Sequence, residues 1–345
     1  MVIFLNNHDF RDPGQPVDND PILGYAYLLT NNQIGLPCVY YYDYYNGGLK
    51  NQIDALITVH KKYIFGASSR DYLSRFSTPY SQNFISGGAS TTLIYQLMGT
   101  ASGQDVIVAI NYAGDTLKID QGINTTNIST GDVFVDVLGN SEYPFAVVNG
   151  NNQVYIELPP RSYSVWVKGV LLKSKIFLEG AYDSQTHRMR TDLNSKALIP
   201  LQSPFTENQR SVEAVPANVV DWVLVQLRLA PQTTAIASRS VFLDKTGNLV
   251  ETDGSTRDIP FPVAAGSYYL VVRHRNHLAG MSSQAISLGS TASLYDFTTS
   301  ENRFYGSNGA ASLEPTVWGP FSVRQKRLSS FRQLQSALIM FSNSW

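Results

Sequence analysis

The chain has 345 residues, of which 43% are hydrophobic and 15% are charged, and its formal net charge is −1. This length allows two or three domains, each with its own core, and the composition is that of an ordered globular chain. The balanced charge argues against binding to nucleic acid or to an anionic membrane surface. No apolar run reaches the roughly 18 residues of a membrane span, so none is predicted.

Cys38 is the single cysteine, so a disulfide framework within the chain is excluded. Its neighbours are apolar, which favours a small buried residue over a reactive thiol. The chain also contains 20 Tyr and 16 Phe. With the many Asn, Ser, Thr and Gly residues between them, these aromatics suit all-β modules and neutral polar ligands such as sugars.

The first predicted elements, in residues 1–66, alternate between strand and helix. The apolar residues 1–5 predict a strand, and Asp20 followed by Pro21 predicts the start of a helix. The β-branched and aromatic residues 39–42 predict a second strand. Apolar residues at helical spacing then predict a second helix, which Gly66 can close. This alternation implies a parallel sheet.

Residues 67–169 change to a period of two, which is typical of strands. Five such runs are predicted to form an antiparallel β-sandwich, and they cover residues 92–97, 106–110, 133–137, 154–158 and 163–167. The first domain boundary is expected at Gly169.

Residues 170–320 are predicted to be a second β-rich module. The run 221–227 alternates clearly, and a hairpin is expected around residues 244–248. The segment 273–277 follows a strand and gathers two of the five histidines. A metal site there is one interpretation, but without a nearby Cys or acid an exposed strand end is favoured. Such an end could also contact a polar ligand.

Residues 321–345 carry four basic residues and no acid. One interpretation is a basic amphipathic tail. The favoured alternative is a solvated helix, or a terminus produced by a shifted reading frame, that is poorly ordered.

A specific resemblance arises from Asn7-His8-Asp9, which directly follows the first strand, and from Gly35-Leu36-Pro37, which introduces the second. Together they resemble the seventh and eighth strand units of the α-amylase family of glycoside hydrolases. Residues 158–167 resemble the closing strand of the sandwich that follows the barrel in these enzymes. The resemblance covers about residues 1–168. It implies a mixed fold: the C-terminal fragment of a (β/α)8 barrel (1–66), an all-β antiparallel sandwich (67–169) and a second sandwich-like module (170–320).

The resemblance also implies roles for individual residues. Asp9 would be the catalytic carboxylate that stabilises the oxocarbenium-like transition state, and His8 would hydrogen-bond sugar hydroxyls. Asn7 would orient the loop that holds them. Asp43, expected at the end of the second strand, could line the rim of the substrate site, and a loop acid without a role is an equal alternative.

In this family the nucleophile and the general acid precede the Asn-His-Asp motif. The chain is therefore expected to be the C-terminal portion of an α-amylase-like glycoside hydrolase acting on α-glucans, inactive by itself, with no metal and no cofactor. The longer protein to which this portion would belong, the parent protein, would be extracellular or attached to the cell surface. Two alternatives stay open: a non-catalytic carbohydrate-binding or structural module, and a parent that rearranges glucans as a transglycosidase.

Overall fold

The computed structural model describes residues 1–10, 12–75 and 77–323. The chain divides into two compact units, Met1–Gly169 and the residues from Val170 onward. Both units consist mostly of β-strands. The predicted basic tail lies outside the described residues from residue 324 on.

The first unit begins with a short parallel strand pair and a group of helices. These elements are β1 (Val2–Phe4), α1 (Pro21–Thr30), β2 (Leu36–Cys38), α2 (Tyr41–Tyr45) and α3 (Lys50–Val59), which a π-helical turn (His60–Ile64) extends. β1 and β2 pair in parallel, with Ile3 opposite Pro37. The structure thus has a parallel pair of strands with a helix between them, although the second strand lies at residues 36–38 and the pair alone does not define a barrel.

The predicted strand over residues 39–42 is wrong. β2 ends at Cys38 and the chain enters α2 at Tyr41. The backbone N–H of Tyr44 donates to the carbonyl of Tyr40, which turns the aromatic run into a helix. The prediction that Cys38 is buried is also wrong, because alternate residues of β2 lie on a face that is open to solvent.

The rest of the first unit consists of two antiparallel sheets. The strands are β3 (Ser69–Tyr72), β4 (Gln82–Ser86), β5 (Thr92–Met98), β6 (Val106–Asn111), β7 (Leu117–Gly122), β8 (Val133–Asp136), β9 (Phe145–Val147), β10 (Gln153–Leu158) and β11 (Ser162–Lys175). One sheet has the order β10-β7-β4, and the other has the order β3-β5-β6-β11-β8-β9. β11 belongs to this unit as far as Gly169.

Strand β6 shows how the period of two divides the cores of the first unit. Val106 and Val108 face a core that also contains apolar residues of α1 and α3. Ile107 faces a second core between the two sheets, together with the fully buried Trp166. Both faces of the sheet are therefore covered, and residues 1–66 share a core with the strands that follow them.

The second unit is built around one central sheet. Its elements are β12 (Tyr182–Asp183), β13 (Arg188–Met189), α4 (Asp192–Ser195), β14 (Val219–Arg228), β15 (Ala237–Asp244), β16 (Leu249–Val250), β17 (Ile259–Phe261), β18 (Gly266–His274), β19 (His277–Met281), β20 (Ile286–Leu288), β21 (Leu294–Asp296), β22 (Ala311–Glu314) and β23 (Val317–Gly319). The sheet order is β16-β15-β14-β18-β19, and β20 also pairs with β18. The end of β11, from Val170, pairs with β17 and β21.

The central strand β14 is buried on both faces. Val223 and Val225 lie in the larger core of the unit, and Trp222 and Leu224 lie in the smaller core on the other face. The Trp222 ring stacks on Phe242 with 4.0 Å between the ring centroids. The alternation predicted for residues 221–227 is confirmed.

Candidate functional site

The two strand ends predicted to carry function lie together in the structure. Parallel strands present their carboxyl ends at the same edge of a sheet, so the loop after β1 and the helix after β2 begin side by side. A buried hydrogen bond joins them, in which Asn6 Nδ2 donates to Asp43 Oδ2 at 2.9 Å. We call the residues 6–9 and 40–45 the strand-end site.

Asp43 is buried beneath this site, with 8% of its surface exposed. The Tyr25 hydroxyl donates to the same Asp43 oxygen at 2.7 Å and accepts the backbone N–H of Tyr40 at 3.2 Å. Burial, and then the hydrogen bond to Asp43, raise the pKa of Tyr25 well above its usual range. Asp43 is therefore placed inside the protein, where it fixes the position of both strand ends.

Asn6 completes this network on the side of β1. Its Oδ1 accepts the backbone N–H of Val17 at 2.8 Å, and its Nδ2 also approaches the carbonyl of Val17 at 3.3 Å. Like Asp43 it is buried, with 5% of its surface exposed. Asn6 was not predicted as a site residue, although its position directly after an apolar strand was a usable signal.

The Asn7-His8-Asp9 turn is organised by its first residue. Asn7 Oδ1 accepts the backbone N–H groups of Asp9 at 2.8 Å and Phe10 at 3.2 Å, as an Asx turn does. The side chains of His8 and Asp9 then point to solvent, 79% and 72% exposed, with His8 Nε2 and Asp9 Oδ1 3.3 Å apart. The structure thus presents an imidazole and a carboxylate next to each other on the surface.

Three exposed tyrosines of α2 complete the strand-end site, and the sequence analysis missed them by assigning the run to a strand. Tyr41, Tyr42 and Tyr45 are 68%, 56% and 62% exposed. The rings of Tyr41 and Tyr45 lie against each other, with 4.8 Å between centroids. Exposed aromatic rings of this kind are surfaces on which the apolar face of a sugar can stack. The density of tyrosine after β2 was the available signal.

In the second unit, the histidines predicted to mark an exposed strand end are instead built into a hydrogen-bonded network. The side chain of His274 is 6% exposed, and its Nε2 lies 3.1 Å from Oδ2 of the buried Asp221. His274 Nδ1 lies 2.9 Å from His277 Nδ1, and His277 Nε2 accepts the backbone N–H of Gly180 at 3.1 Å. Because His277 Nε2 accepts a hydrogen bond, its ring proton lies on Nδ1, which donates to His274 Nδ1. The groups form a chain in series, and they do not converge on one point as metal ligands would.

This network predicts a loss of stability in mild acid. Burial, and then the neighbouring His274, lower the pKa of His277 to about 4. The native state thus binds fewer protons than the unfolded state, whose histidine titrates near 6.5. Stability is complete above about pH 6.5 and falls as the pH drops towards 4, by up to about 2 kcal/mol for this partly exposed group.

Urea denaturation of the wild type and of His277→Gln between pH 4 and 7.5 measures this effect. The variant should show a flatter dependence on pH in that window. His187→Gln is the control, because the side chain of His187 is 71% exposed. Equal pH dependence in the wild type and His277→Gln would contradict the assignment.

Comparisons with known proteins give a limited relation to glycoside hydrolases. No family model matches the chain. An alpha-amylase from Geobacillus stearothermophilus is 40% identical over 83 residues, which are 21% of this chain and 15% of that protein. The match therefore spans a small part of the length of that relative. This segment is similar to part of a glycoside hydrolase. Similarity over so short a segment does not assign the activity of that enzyme to this chain.

Among solved structures, a debranching enzyme from Nostoc punctiforme aligns with a TM-score of 0.29 and 18% identity, covering 48% of this chain and 33% of that one. A maltogenic alpha-amylase from Thermotoga neapolitana aligns with a TM-score of 0.31 and 12% identity, covering 48% and 40%. Neither score is high enough to support an argument about fold or activity. Within the described residues, no helix is long and apolar enough to cross a membrane.

Proposed function

We propose that the strand-end site binds glucose units of an α-glucan, in a segment that corresponds to the last two β/α units of an α-amylase-like barrel. The observation that supports this most directly is the Asn6–Asp43 hydrogen bond, because it joins the ends of β1 and β2 into a single site. The parallel pairing of β1 with β2 is a second support. In the longer protein that the proposal requires, the site acts in cleavage of the glucan, and that protein is exported to the cell surface or beyond.

Each side chain of the site has a chemical task in this proposal. A carboxylate has about four lone-pair positions that accept sugar hydroxyls, and the side chain of Asp9 is exposed at the surface. His8 adds a hydrogen bond to a neighbouring hydroxyl. The rings of Tyr41 and Tyr42 offer flat apolar surfaces for the faces of successive glucose units. Asn6 and Asp43 keep these groups in register and do not contact the sugar.

Binding is the part of this function that the described site supports best. Cleavage of a glycosidic bond uses two carboxylates that flank the bond, and a charge stabilises a transition state most strongly where water is excluded. Asp9 is 72% exposed to water. In the proposal, the nucleophile, the general acid and the walls that exclude water come from other strands of the barrel. Hydrolysis and transglycosylation then share the same role for Asp9.

A second candidate is a glucan-binding module without any catalytic role, which the exposed tyrosines favour. The two candidates agree on the ligand and differ on Asp9. In a binding module, stacking on Tyr41 and Tyr42 dominates, and the charge of Asp9 contributes little. In a catalytic segment, the charge of Asp9 decides the rate.

Titration of the purified chain with maltoheptaose tests the shared ligand. We expect a dissociation constant on the order of 1 mM, since few groups contact the sugar on an open surface. Tyr41→Ala combined with Tyr42→Ala should weaken binding about tenfold, because the stacking surface is lost. Nuclear magnetic resonance or calorimetric titration measures the change.

Tyr143→Ala is the matched control, because Tyr143 is also a tyrosine that is 50% exposed, and its ring packs on Tyr155, which is not part of the strand-end site. It should leave the affinity unchanged. Absence of maltoheptaose binding by the wild type, or equal losses in the control and in the double variant, would refute the proposed ligand.

A further inference from the structure

A half-open groove in the second unit has a volume of about 670 Å³ and a lining rich in hydroxyl and amide groups. It lies beside β20, β21 and the turn that follows them. Its polar lining includes Ser293, Ser300, Asn302 and Arg303. The lining includes one charged side chain, that of Arg303.

The guanidinium of Arg303 is held in a fixed position. Its Cζ lies 4.1 Å from the centre of the Tyr295 ring, and its Nε donates to the carbonyl of Asp296 at 3.0 Å. The Tyr295 hydroxyl in turn donates to the carbonyl of Arg303 at 2.6 Å. Tyr295 is itself buried, so the platform under the guanidinium is rigid. The stacking contact and the Nε hydrogen bond hold the guanidinium without using its two terminal nitrogens.

These terminal nitrogens have no carboxylate partner among the residues that the structure describes. Other arginines of the same unit do have one: Arg239 and Arg210 pair with Glu251, and Arg275 pairs with Asp221. The nearby Asp296 uses its Oδ1 to accept the backbone N–H and the hydroxyl of Thr298. Arg303 is thus a cation that is held in place, and its two terminal nitrogens match the two oxygens of a carboxylate.

We propose that this groove binds a saccharide that carries a carboxylate, a uronic acid unit within an oligosaccharide. Arg303 takes the carboxylate as a bidentate pair, and Ser293, Ser300 and Asn302 take the ring hydroxyls. A neutral glucan leaves the guanidinium without a counter-charge. An acidic peptide can also pair with the guanidinium, but it carries few hydroxyl groups for the serine and asparagine side chains to bind.

This site is independent of the strand-end site, because its ligand carries a negative charge and the glucan proposed for the strand-end site is neutral. The carboxylate of Asp9 repels a uronate, whereas Arg303 attracts it. Binding of maltoheptaose and binding of a uronate oligomer therefore succeed or fail separately, and each measurement tests one proposal.

The test compares a tetramer of galacturonate with its full methyl ester, which has the same sugar skeleton without the charges. Calorimetric titration at low ionic strength should show the acid form binding at least about tenfold more tightly than the ester, because a charge-assisted pair is lost. Added salt should reduce this difference. Equal affinity for the two tetramers, or absence of binding to both, would overturn the proposal. Tighter binding of tetraglutamate would overturn it in favour of an acidic peptide.

Two variants locate the site. Arg303→Ala should lose at least about tenfold in affinity for the acid tetramer, because the guanidinium is removed. Ser293→Asp places a negative charge at an exposed position of the groove, so it should weaken binding of the acid tetramer much more than binding of the uncharged ester. Arg188→Ala, at an exposed residue of β13, is the control for charge. If the acid bound equally to the wild type and to Ser293→Asp, the groove would not be the site.

Discussion

Replacing Glu251 by Gln is expected to lower the free energy of unfolding by about 3–5 kcal/mol at pH 7. The carboxylate is 3% exposed and lies between two guanidiniums: Arg239 Nε at 2.6 Å from Oε1, and Arg210 Nη1 at 2.7 Å from Oε2. Burial alone would raise the pKa of Glu251, but the charges of the two arginines outweigh it and lower the pKa. Glutamine keeps the size of the side chain and removes the charge, which leaves two largely buried cations uncompensated.

Urea denaturation followed by circular dichroism measures this loss, with Glu207→Gln as the matched control. Glu207 also pairs with an arginine, at 2.6 Å from Arg273, but the two side chains are 39% and 41% exposed. An exposed pair contributes at most about 1 kcal/mol. Similar small losses in both variants would mean that water reaches the Glu251 cluster and screens it.

The strands of both units were predictable wherever both faces of a sheet are buried. Val106, Val108 and Trp222 lie in short, nearly continuous apolar runs. Such runs, rich in β-branched residues and bounded by turn residues, are typical of strands that are buried on both faces.

The local pattern gave the wrong element at residues 39–42, where aromatic and β-branched residues favour a strand. The deciding interactions come from distant parts of the chain. The Tyr25 hydroxyl accepts the backbone N–H of Tyr40, and Asn6 and Tyr25 both donate to the carboxylate of Asp43. Tertiary hydrogen bonds of this kind leave no periodic signal, so neither the helix α2 nor the burial of Asp43 could be predicted.

The histidine pair of the second unit illustrates the same limit. Residues 273–277 contain no acidic side chain. The partner is Asp221, which is 53 residues earlier in the chain. The antiparallel pairing of β14 with β18 brings the two segments together. The neighbouring strand β14 therefore supplies the carboxylate that residues 273–277 lack. The pairing of β14 with β18 cannot be predicted from the sequence of either segment alone.

The strand-end site was half predictable for a related reason. Asn7, His8 and Asp9 are contiguous and follow a strand, so their proximity is fixed by the chain itself. The position of these residues relative to α2 is not fixed by the chain itself. It depends on the register of β1 against β2, which are three residues long each, and on the buried hydrogen bond between Asn6 and Asp43. The tyrosines were therefore missed although they are the largest exposed surfaces of the site.

The second large effect is expected at Asp9, in the longer glucan-cleaving protein that the proposed function requires. There, Asp9→Asn should lower kcat by about 10²–10³, because loss of one pre-positioned electrostatic partner of the transition state costs about 3–4 kcal/mol. Asparagine preserves the shape and some hydrogen bonding to sugar hydroxyls, so KM should change less than kcat. The side chain makes no buried contact and is 72% exposed in the described chain, so folding should be unaffected.

His8→Ala is the graded comparison, since a neutral imidazole contributes a hydrogen bond but no full charge, and its effect should be smaller. The 345-residue chain alone should release no reducing sugar from soluble starch, because its Asp9 faces water and a second carboxylate across the bond is required. Steady-state kinetics on soluble starch, with thermal melts to confirm folding, separate the two candidate functions. Near-normal rates in both variants would assign the turn to glucan binding alone, whereas Asp9-dependent hydrolysis by the short chain would show that its own carboxylates suffice.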